Sequence, residues 1–529
     1  MLTSADPLVA IMELPRWVLE VGFVIYALAI AGFVVLERRR PTVTLALVLA
    51  LIFVPVVGFL VYVLFMRRTR KRLRQRERRP INPVDETRGL ARIAGVPDDL
   101  SEASVGLVHL ALRSAAAPLR RGEAVDLLPT PQQAFDAFAD AIDSATRSIH
   151  CEFYIWRDDD SARRITQMLA ERAAEGIKVR VLYDHLGSLG LPRSHFDELR
   201  EAGGSVAVFG RLKIPLRLGG VRFNFRNHRK ILTVDGRLGF LGGINIGDEY
   251  LMNQTGPIPW RDLAVRVSGD AVIGLEAIFL EDWLASTGEV IDLEGERSTM
   301  PQRFDPRRPL PKDRPWQRRR AQRARERADA ANPFSSTTET PAASLGPLMQ
   351  VIASGPDLPL VSTISAQFSA AIASATRRVW LSTPYFVPDE PLMQVLRIAA
   401  MRGLDLRLLV PAPRHNDVRI IGWAARSYYD DVLSVGGRIF EYQRGMLHSK
   451  FLIVDDICAI GSANMDVRSF HINYEVTGMF YDPHVTASLA EIFCEDLDDA
   501  IEVTEKDRAE PSLGQRLLEG TARVLSPLL

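Results

Sequence analysis

The sequence predicts an α/β protein of two similar α/β/α halves, preceded by an N-terminal transmembrane helical hairpin. Three observations predict it. Two long apolar runs open the chain, at 18–36 and 42–66. A short string recurs at an offset of 230 residues (141 to 371), as Ala141-Ile-Asp-Ser-Ala-Thr-Arg147 and Ala371-Ile-Ala-Ser-Ala-Thr-Arg377. The pattern His-x-Lys-x-x-x-x-Asp occurs twice, as His228/Lys230/Asp235 and His448/Lys450/Asp455, close to the same register. A duplication on this scale makes two domains rather than a solenoid.

Taken in chain order, each apolar run can cross a hydrocarbon core of about 30 Å, and only Glu37-Arg-Arg-Arg-Pro41 separates them. Pro55 and Gly58 are tolerable inside a membrane span. No small-x-small site follows the first run, so a cleaved signal is not expected. The loop carries Arg38, Arg39 and Arg40, whereas the other side carries Arg16 and nine basic residues between 67 and 79. The denser side should be cytoplasmic. The chain is therefore expected to be a multi-pass cell-membrane protein with its body in the cytoplasm. Its basic collar, reaching to residue 80, should lie against anionic headgroups.

Residues 81–125 read as a connector with some helical pattern, 126–294 as the first half and 348–505 as the second. In each half the Ala-Thr-Arg is followed by a strand-like run (149–156, 379–386) and a helix-like stretch (162–174, 391–402). A Gly and another apolar strand come next (179–183, 406–410). This alternation argues a layered α/β domain. Between the halves, 295–347 has the Arg/Pro-rich composition of a partly disordered linker, with Trp316 in its basic core. The last stretch, 506–529, is amphipathic from Leu513 on, with docking on the body the commoner fate of such a tail.

Composition excludes some classes. The chain has 65 basic and 65 acidic residues, but residues 1–80 hold thirteen basic against five acidic. The remainder is correspondingly acidic, which argues against a nucleic-acid-binding surface. The three cysteines, Cys151, Cys458 and Cys494, form no pairs by spacing, so nothing requires an oxidising compartment.

The chemistry lies in the paired motifs. Residues two apart on a strand share a face, so each His and its Lys can meet one ligand. Asp235 and Asp455, of opposite parity, are expected to organise the site by hydrogen bond or ion pair. Each copy is followed by a small-residue step and an asparagine, Gly242-Gly243-Ile-Asn245 and Gly461-Ser462-Ala-Asn464. One histidine can attack phosphorus and a second can shuttle the proton of the leaving and accepting oxygens. Lys230, Lys450, Asn245 and Asn464 would donate to the non-bridging oxygens of a phosphodiester. Such a set needs no metal and no cofactor. The other seven histidines (109, 150, 185, 195, 415, 471 and 484) read as surface or satisfied core, with His415 set apart by its place before Asn416-Asp417.

Two spans, a basic collar and a duplicated His/Lys/Asp body together resemble bacterial cardiolipin synthases of the phospholipase D superfamily. The resemblance rests on Phe153-Tyr-Ile-Trp-Arg157, Asn227-His-Arg-Lys230, Gly242-Gly-Ile-Asn-Ile-Gly-Asp-Glu-Tyr250, Ser382-Thr-Pro-Tyr-Phe386 and Gly461-Ser-Ala-Asn-Met-Asp466, extended by Arg468-Ser-Phe470 and Asn473-Tyr-Glu475. It implies phospholipase D-like halves with mixed sheets and a site between them, with Gly243, Ser462 and Glu475 in support. It also implies that two phosphatidylglycerols are joined into cardiolipin with release of glycerol. His228 would be the nucleophile and His448 the acid–base. Phosphatidylglycerol, other anionic phospholipids and the membrane are then the expected partners, with no nucleic acid and no obligatory protein partner. One departure from the pattern stands out: six residues separate Asp235 from Gly242, but five separate Asp455 from Gly461. A tighter turn should absorb the difference. Two other functions compete with this reading. A hydrolase, whether phospholipase D or nuclease, would use the same phosphohistidine with water as acceptor. A non-catalytic membrane scaffold would have no need of paired His, Lys and Asn.

Overall fold

In the computed structural model the described residues are 100–210, 225–251, 260–291, 346–356, 362–508 and 512–525, with a few single positions before them. The chain divides into two compact units, one of residues 1–78 with 212–224 and one of the rest. The two expected membrane spans and the Arg/Pro-rich linker fall almost wholly outside the described residues. Among those described, no helix is long and apolar enough to cross a membrane.

The second unit holds both halves. It opens with α1 (Glu102–Ala115), β1 (Arg120–Arg121), β2 (Val125–Leu128), α2 (Pro131–Ser144) and β3 (Ser148–Phe153). Next come α3 (Asp160–Ala174), β4 (Lys178–Asp184), β5 (Ser205–Phe209), β6 (Lys230–Val234), β7 (Leu238–Gly242), β8 (Trp260–Arg261), β9 (Ala264–Ser268) and α4 (Val272–Thr287). The second half runs β10 (Leu348–Ser354), α5 (Thr363–Ser374), β11 (Arg378–Ser382), α6 (Glu390–Met401), β12 (Asp405–Pro411), α7 (Arg419–Arg426), β13 (Arg438–Tyr442) and β14 (Met446–Leu447). It continues through β15 (Phe451–Val454), β16 (Ile457–Gly461), β17 (Glu475–Phe480), α8 (Pro483–Leu497), β18 (Ala500–Val503) and α9 (Leu513–Leu525).

The helices start where the sequence caps them. Thr130 accepts from the Gln133 amide with Pro131 in the first turn, Asp159 from Ala162, and Asp389 from Leu392 with Pro391 following. Each such cap satisfies an orphan N–H of the first turn.

The duplication is visible in the strand order. The first sheet reads β2-β9-β7-β6-β3-β4-β5 and the second contains β10-β17-β16-β15-β11-β12-β13, extended by β1 at one edge and β18 at the other. Both are mixed: β3, β4 and β5 pair in parallel, as do β11, β12 and β13, while the other pairs are antiparallel. Ile231, Leu241, Val265 and Leu275 of the first half share one core with Met349, Phe451, Ile453 and Phe480 of the second.

Residues 102–121, expected within the connector, are built into the second half instead. Leu107, Val108 and Ala111 of α1 pack with Ile352, Ile364 and Phe368, and β1 pairs antiparallel with β10. An amphipathic helix beside an uncovered sheet face buries its stripe there.

Candidate active site

Each His-Lys motif lies where its strand enters the sheet. The strands begin at Lys230 and Phe451, so the histidines precede the ladders rather than lying within them, a correction to the shared-strand reading. The reason is a different backbone partner. The His228 amide donates to the Tyr474 carbonyl at 2.9 Å, and the His448 amide to the Arg261 carbonyl at 2.7 Å. Asn227 bridges Tyr474, and β14 pairs with β8 in parallel. Each histidine is thus held by a strand end of the opposite half.

The same crossing supplies a carboxylate to each ring. His228 Nδ1 lies 3.0 Å from Glu475 Oε2, and His448 Nδ1 lies 2.7 Å from Asp262 Oδ2. A histidine donating Nδ1–H to a carboxylate keeps Nε2 unprotonated for chemistry. Each Lys bends back on its own motif, Lys230 Nζ donating to the His228 carbonyl at 2.6 Å and Lys450 Nζ to the His448 carbonyl.

Burial sets the charge states. It pushes His228 down to about 4, Glu475 partly offsetting this and Lys230 adding to it. It pushes His448 down to about 3, with Lys450 adding and Asp262 opposing. Burial also brings Lys230 down to about 7 and Lys450 to about 8, against the pull of the carboxylates. At neutral pH both rings are therefore neutral and both lysines are poised to titrate.

The two carboxylates are seated differently. Glu475 Oε2 also accepts from the Ser462 hydroxyl at 2.5 Å, whereas Asp262 Oδ1 accepts from the Leu263 amide at 2.7 Å. A Cβ on Gly243 would stand 2.3 Å from Asp262 Oδ1, so the shorter acid goes with glycine and the longer with serine.

Asp235 and Asp455 sit away from this centre, at left-handed turns with φ of 56° and 51°. Asp235 accepts from the amides of Thr146, Arg147 and Ser148, and Asp455 from those of Thr376, Arg377 and Arg378. The recurring Ala-Thr-Arg string is the partner of these carboxylates. The missing residue in the second copy is absorbed in the turn, since Val234 pairs with Leu238 but Val454 with Ile457. The chain is back in register at the glycine, where the Gly461 amide donates to the Lys450 carbonyl at 3.3 Å.

The asparagines end up in loops after the glycine step. Asn245 accepts from the Ile155 amide and donates to the Tyr250 hydroxyl, leaving one amide hydrogen for a ligand. Asn464 Oδ1 is buried without a hydrogen-bond partner.

Several residues of the site escaped sequence reading. Asp262 was one. Tyr154 packs on His228 at 4.8 Å between ring centroids, and Trp260 and Tyr250 on His448 at 4.9 and 6.2 Å. Tyr385 lies 6.4 Å from His448 and donates to Asp417 at 2.9 Å. Behind His228, Arg229 pairs with Asp282 and donates to the carbonyls of Glu475 and Ser354 at 3.1 Å each. Asn227 Nδ2 donates to Glu152 at 2.5 Å, and burial next to Asp282 pushes Glu152 well up. The one available signal was the repetition itself, an acidic residue at or just before the strand that follows each glycine step: Glu475 opens β17 and Asp262 stands two residues ahead of β9. Of the remaining histidines, His195 is satisfied between Asp158 and Thr166, and His150 is buried against Phe279 with Nδ1 3.2 Å from Glu276 Oε1.

Two sheets of one topology, meeting at paired His-Lys loops, define a phospholipase D-type fold. A family model described as cardiolipin synthase, phospholipase D-like domain, matches residues 138–256 and 368–497. A cardiolipin synthase of Geobacillus sp. is 35% identical over 507 residues, covering 94% of this chain and 91% of the relative. Another, from Halalkalibacterium halodurans, is 36% identical over 502 residues, covering 93% and 90%. The crystal structure of a phosphatidylserine synthase from Haemophilus influenzae superposes with a TM-score of 0.56 at 15% identity, over 82% of this chain and 100% of that one, a likeness of fold. The chain belongs to the cardiolipin synthase family of phospholipase D type.

Proposed function

We propose that the protein is a membrane-bound phosphatidyltransferase that makes cardiolipin and glycerol from two phosphatidylglycerols through a phosphohistidine. The observation that carries this reading is the reciprocal pairing, in which each histidine is oriented by a carboxylate of the other half. His228 Nε2 attacks phosphorus, the P–N bond forms and the P–O bond to glycerol breaks. His448 gives its Nε2 proton to the departing oxygen. A second phosphatidylglycerol then loses its hydroxyl proton to His448, its oxygen bonds to phosphorus, and the P–N bond breaks to restore His228.

His448 must carry a proton for the first step, although burial keeps it neutral in the free site. An incoming phosphodiester is anionic and sits beside both rings and both lysines, which raises the proton affinity of His448. Lys230 and Lys450 stabilise the charge that develops on the non-bridging oxygens. Asn245 and Asn464 add amide donors, and Asp235 and Asp455 hold the hairpins that present the motifs. The spans at 18–36 and 42–66 would anchor this body at a bilayer surface with the catalytic body on the cytoplasmic side. Acceptor lipid is then present at high local concentration.

His228→Ala and His448→Ala should each abolish turnover while near-ultraviolet circular dichroism stays native. Acid-labile radiolabel from a phosphate-labelled phosphatidyl ester of p-nitrophenol, whose leaving group departs without a proton, should remain on the chain in a His448→Asn variant and vanish when His228 is also replaced. Turnover retained in either single alanine variant contradicts the mechanism.

A further inference from the structure

The C-terminal helix α9 is amphipathic the wrong way round for a docked helix, which ordinarily turns its apolar stripe to the core. The side turned to the body is polar, with Glu519 buried, Gln515 half-buried and Arg523 reaching back from the edge. Glu519 accepts from Arg508 at 3.0 and 2.9 Å and from Gln515 at 3.0 Å. Arg523 donates to the Ser427 carbonyl at 2.8 Å and to Asp431 at 3.0 Å, and lies over the Tyr428 ring. Among the described residues of α9 the buried apolar one is Ala522, which packs with Val387 and Ala424.

The opposite side is left open. Leu513, Leu517 and Val524 are 73%, 62% and 78% exposed, with Leu518 on the flank. At about 100° per residue these three positions fall within about 40° of one another, on a stripe roughly 16 Å long. Exposed Arg516 stands to one side of it, about 80° around the helix. A stripe of this kind costs solubility unless something covers it.

We propose that α9 is a bilayer-facing surface helix, its Leu513/Leu517/Val524 stripe entering the headgroup–acyl boundary of an anionic membrane. Three features of the molecule favour lipid over another protein. The stripe is a narrow convex ridge with an arginine beside it, the form of an interfacial helix that dips about 5–10 Å into lipid. Arginine there gains from anionic headgroups. The ridge is also continuous with the rim of the active site: α9 packs along α7, and α7 begins two residues after Asp417, which holds Tyr385 beside His448. Exposed Val418 and Arg419 extend the same rim. A membrane against α9 would bring headgroups to the mouth of the site. This surface depends on no step of the transfer chemistry.

The test uses the full chain with Leu517→Cys in a Cys494→Ser background, labelled with an environment-sensitive fluorophore and reconstituted in phosphatidylglycerol/phosphatidylcholine vesicles. The expected result is blue-shifted emission, quenching by lipids brominated near the headgroup, and protection from aqueous iodide. Quenching by iodide but not by brominated lipid overturns the proposal. So does protection from both quenchers, whether lost on dilution into empty vesicles (a second copy) or retained (another part of this chain). Leu513→Gln/Leu517→Gln/Val524→Gln should lower the initial rate on vesicles several-fold and leave turnover of a short-chain, water-soluble phosphatidylglycerol unchanged. Equal loss on both substrates means a structural role and also overturns it. Should the unmodified chain turn over neither lipid, the transferase reading fails while the quenching still decides the surface.

Discussion

Asp262 and Glu475 do the same work for opposite histidines, and their removal should read out as a fault of proton placement. Asp262→Asn keeps the shape but can turn the His448 ring to the wrong tautomer, for which a loss of kcat between about 10² and 10⁴ is expected. Circular dichroism and thermal midpoint should stay close to those of the parent. Gly243→Ala should act on the same carboxylate by pushing it aside, since a Cβ there meets Asp262. The pH profile follows from the burial of the site. His228 loses its nucleophilic lone pair as pH falls toward about 4, and Lys230 and Lys450 lose their charge as pH rises through about 7 and 8. A plot of kcat/KM should therefore be bell-shaped, its alkaline limb set by the lysines. Lys230→Arg should carry that limb upward, from about 7 to the Lys450 value of about 8, because guanidinium does not deprotonate in this range; a limb that stays put contradicts the assignment. The histidines and lysines were legible because each copy repeats the same residues at the same spacing. Their carboxylates were harder to read. They differ in type, lie 186 and 247 positions from the rings they orient, and come from the other half, so no local pattern joins them.

The hairpin β6–β7 and its counterpart β15–β16 show what the third motif residue is for. Asp235 is nearly buried, takes φ of 56° and collects three backbone amides besides the Thr146 hydroxyl. Asp235→Ala should remove those acceptors and strain the turn, costing about 2–4 kcal/mol. Denaturant midpoints would check this, with activity falling only as far as the folded fraction falls. Asp455 is held below its usual carboxylate value: burial works against this, but the amides of Arg378, Thr376 and Arg377 and the Thr376 hydroxyl outweigh it. Its folded value lies below the unfolded one, so its contribution is present above the ordinary carboxylate range and is lost as pH falls through the folded value. Strands and helices were legible to within a few residues, because capping residues and apolar runs are local signals. Strands β3 and β11 stop at Phe153 and Ser382, short of the apolar runs that announced them. There the chain leaves the sheet to lay Tyr154 and Tyr385 beside the histidines, a tertiary demand that the apolar pattern does not mark, although both tyrosines lie in stretches on which the family resemblance rests.

At the scale of the molecule, the duplicated halves act as one body because their crossing contacts are also the site. Arg229 ties the His228 loop to Glu475 and Ser354 of the second half while pairing with buried Asp282. Arg229→Met strands that carboxylate, and breaking such a buried pair costs roughly 3–5 kcal/mol. The body should still unfold in a single transition, since Ile231 and Leu241 share a core with Phe451 and Phe480; two calorimetric transitions would contradict a shared core. The equivalence of the halves was plain in the sequence. The building of α1 and β1 into the second half was not, because a short amphipathic helix carries no label for the sheet it covers. The most direct test of the whole account is product analysis by mass spectrometry, after the purified full-length chain is incubated with phosphatidylglycerol vesicles. Cardiolipin and glycerol in equal amounts are the expected products, abolished by either histidine substitution. Phosphatidic acid and glycerol, with no cardiolipin, would contradict the transferase reading and make water the acceptor.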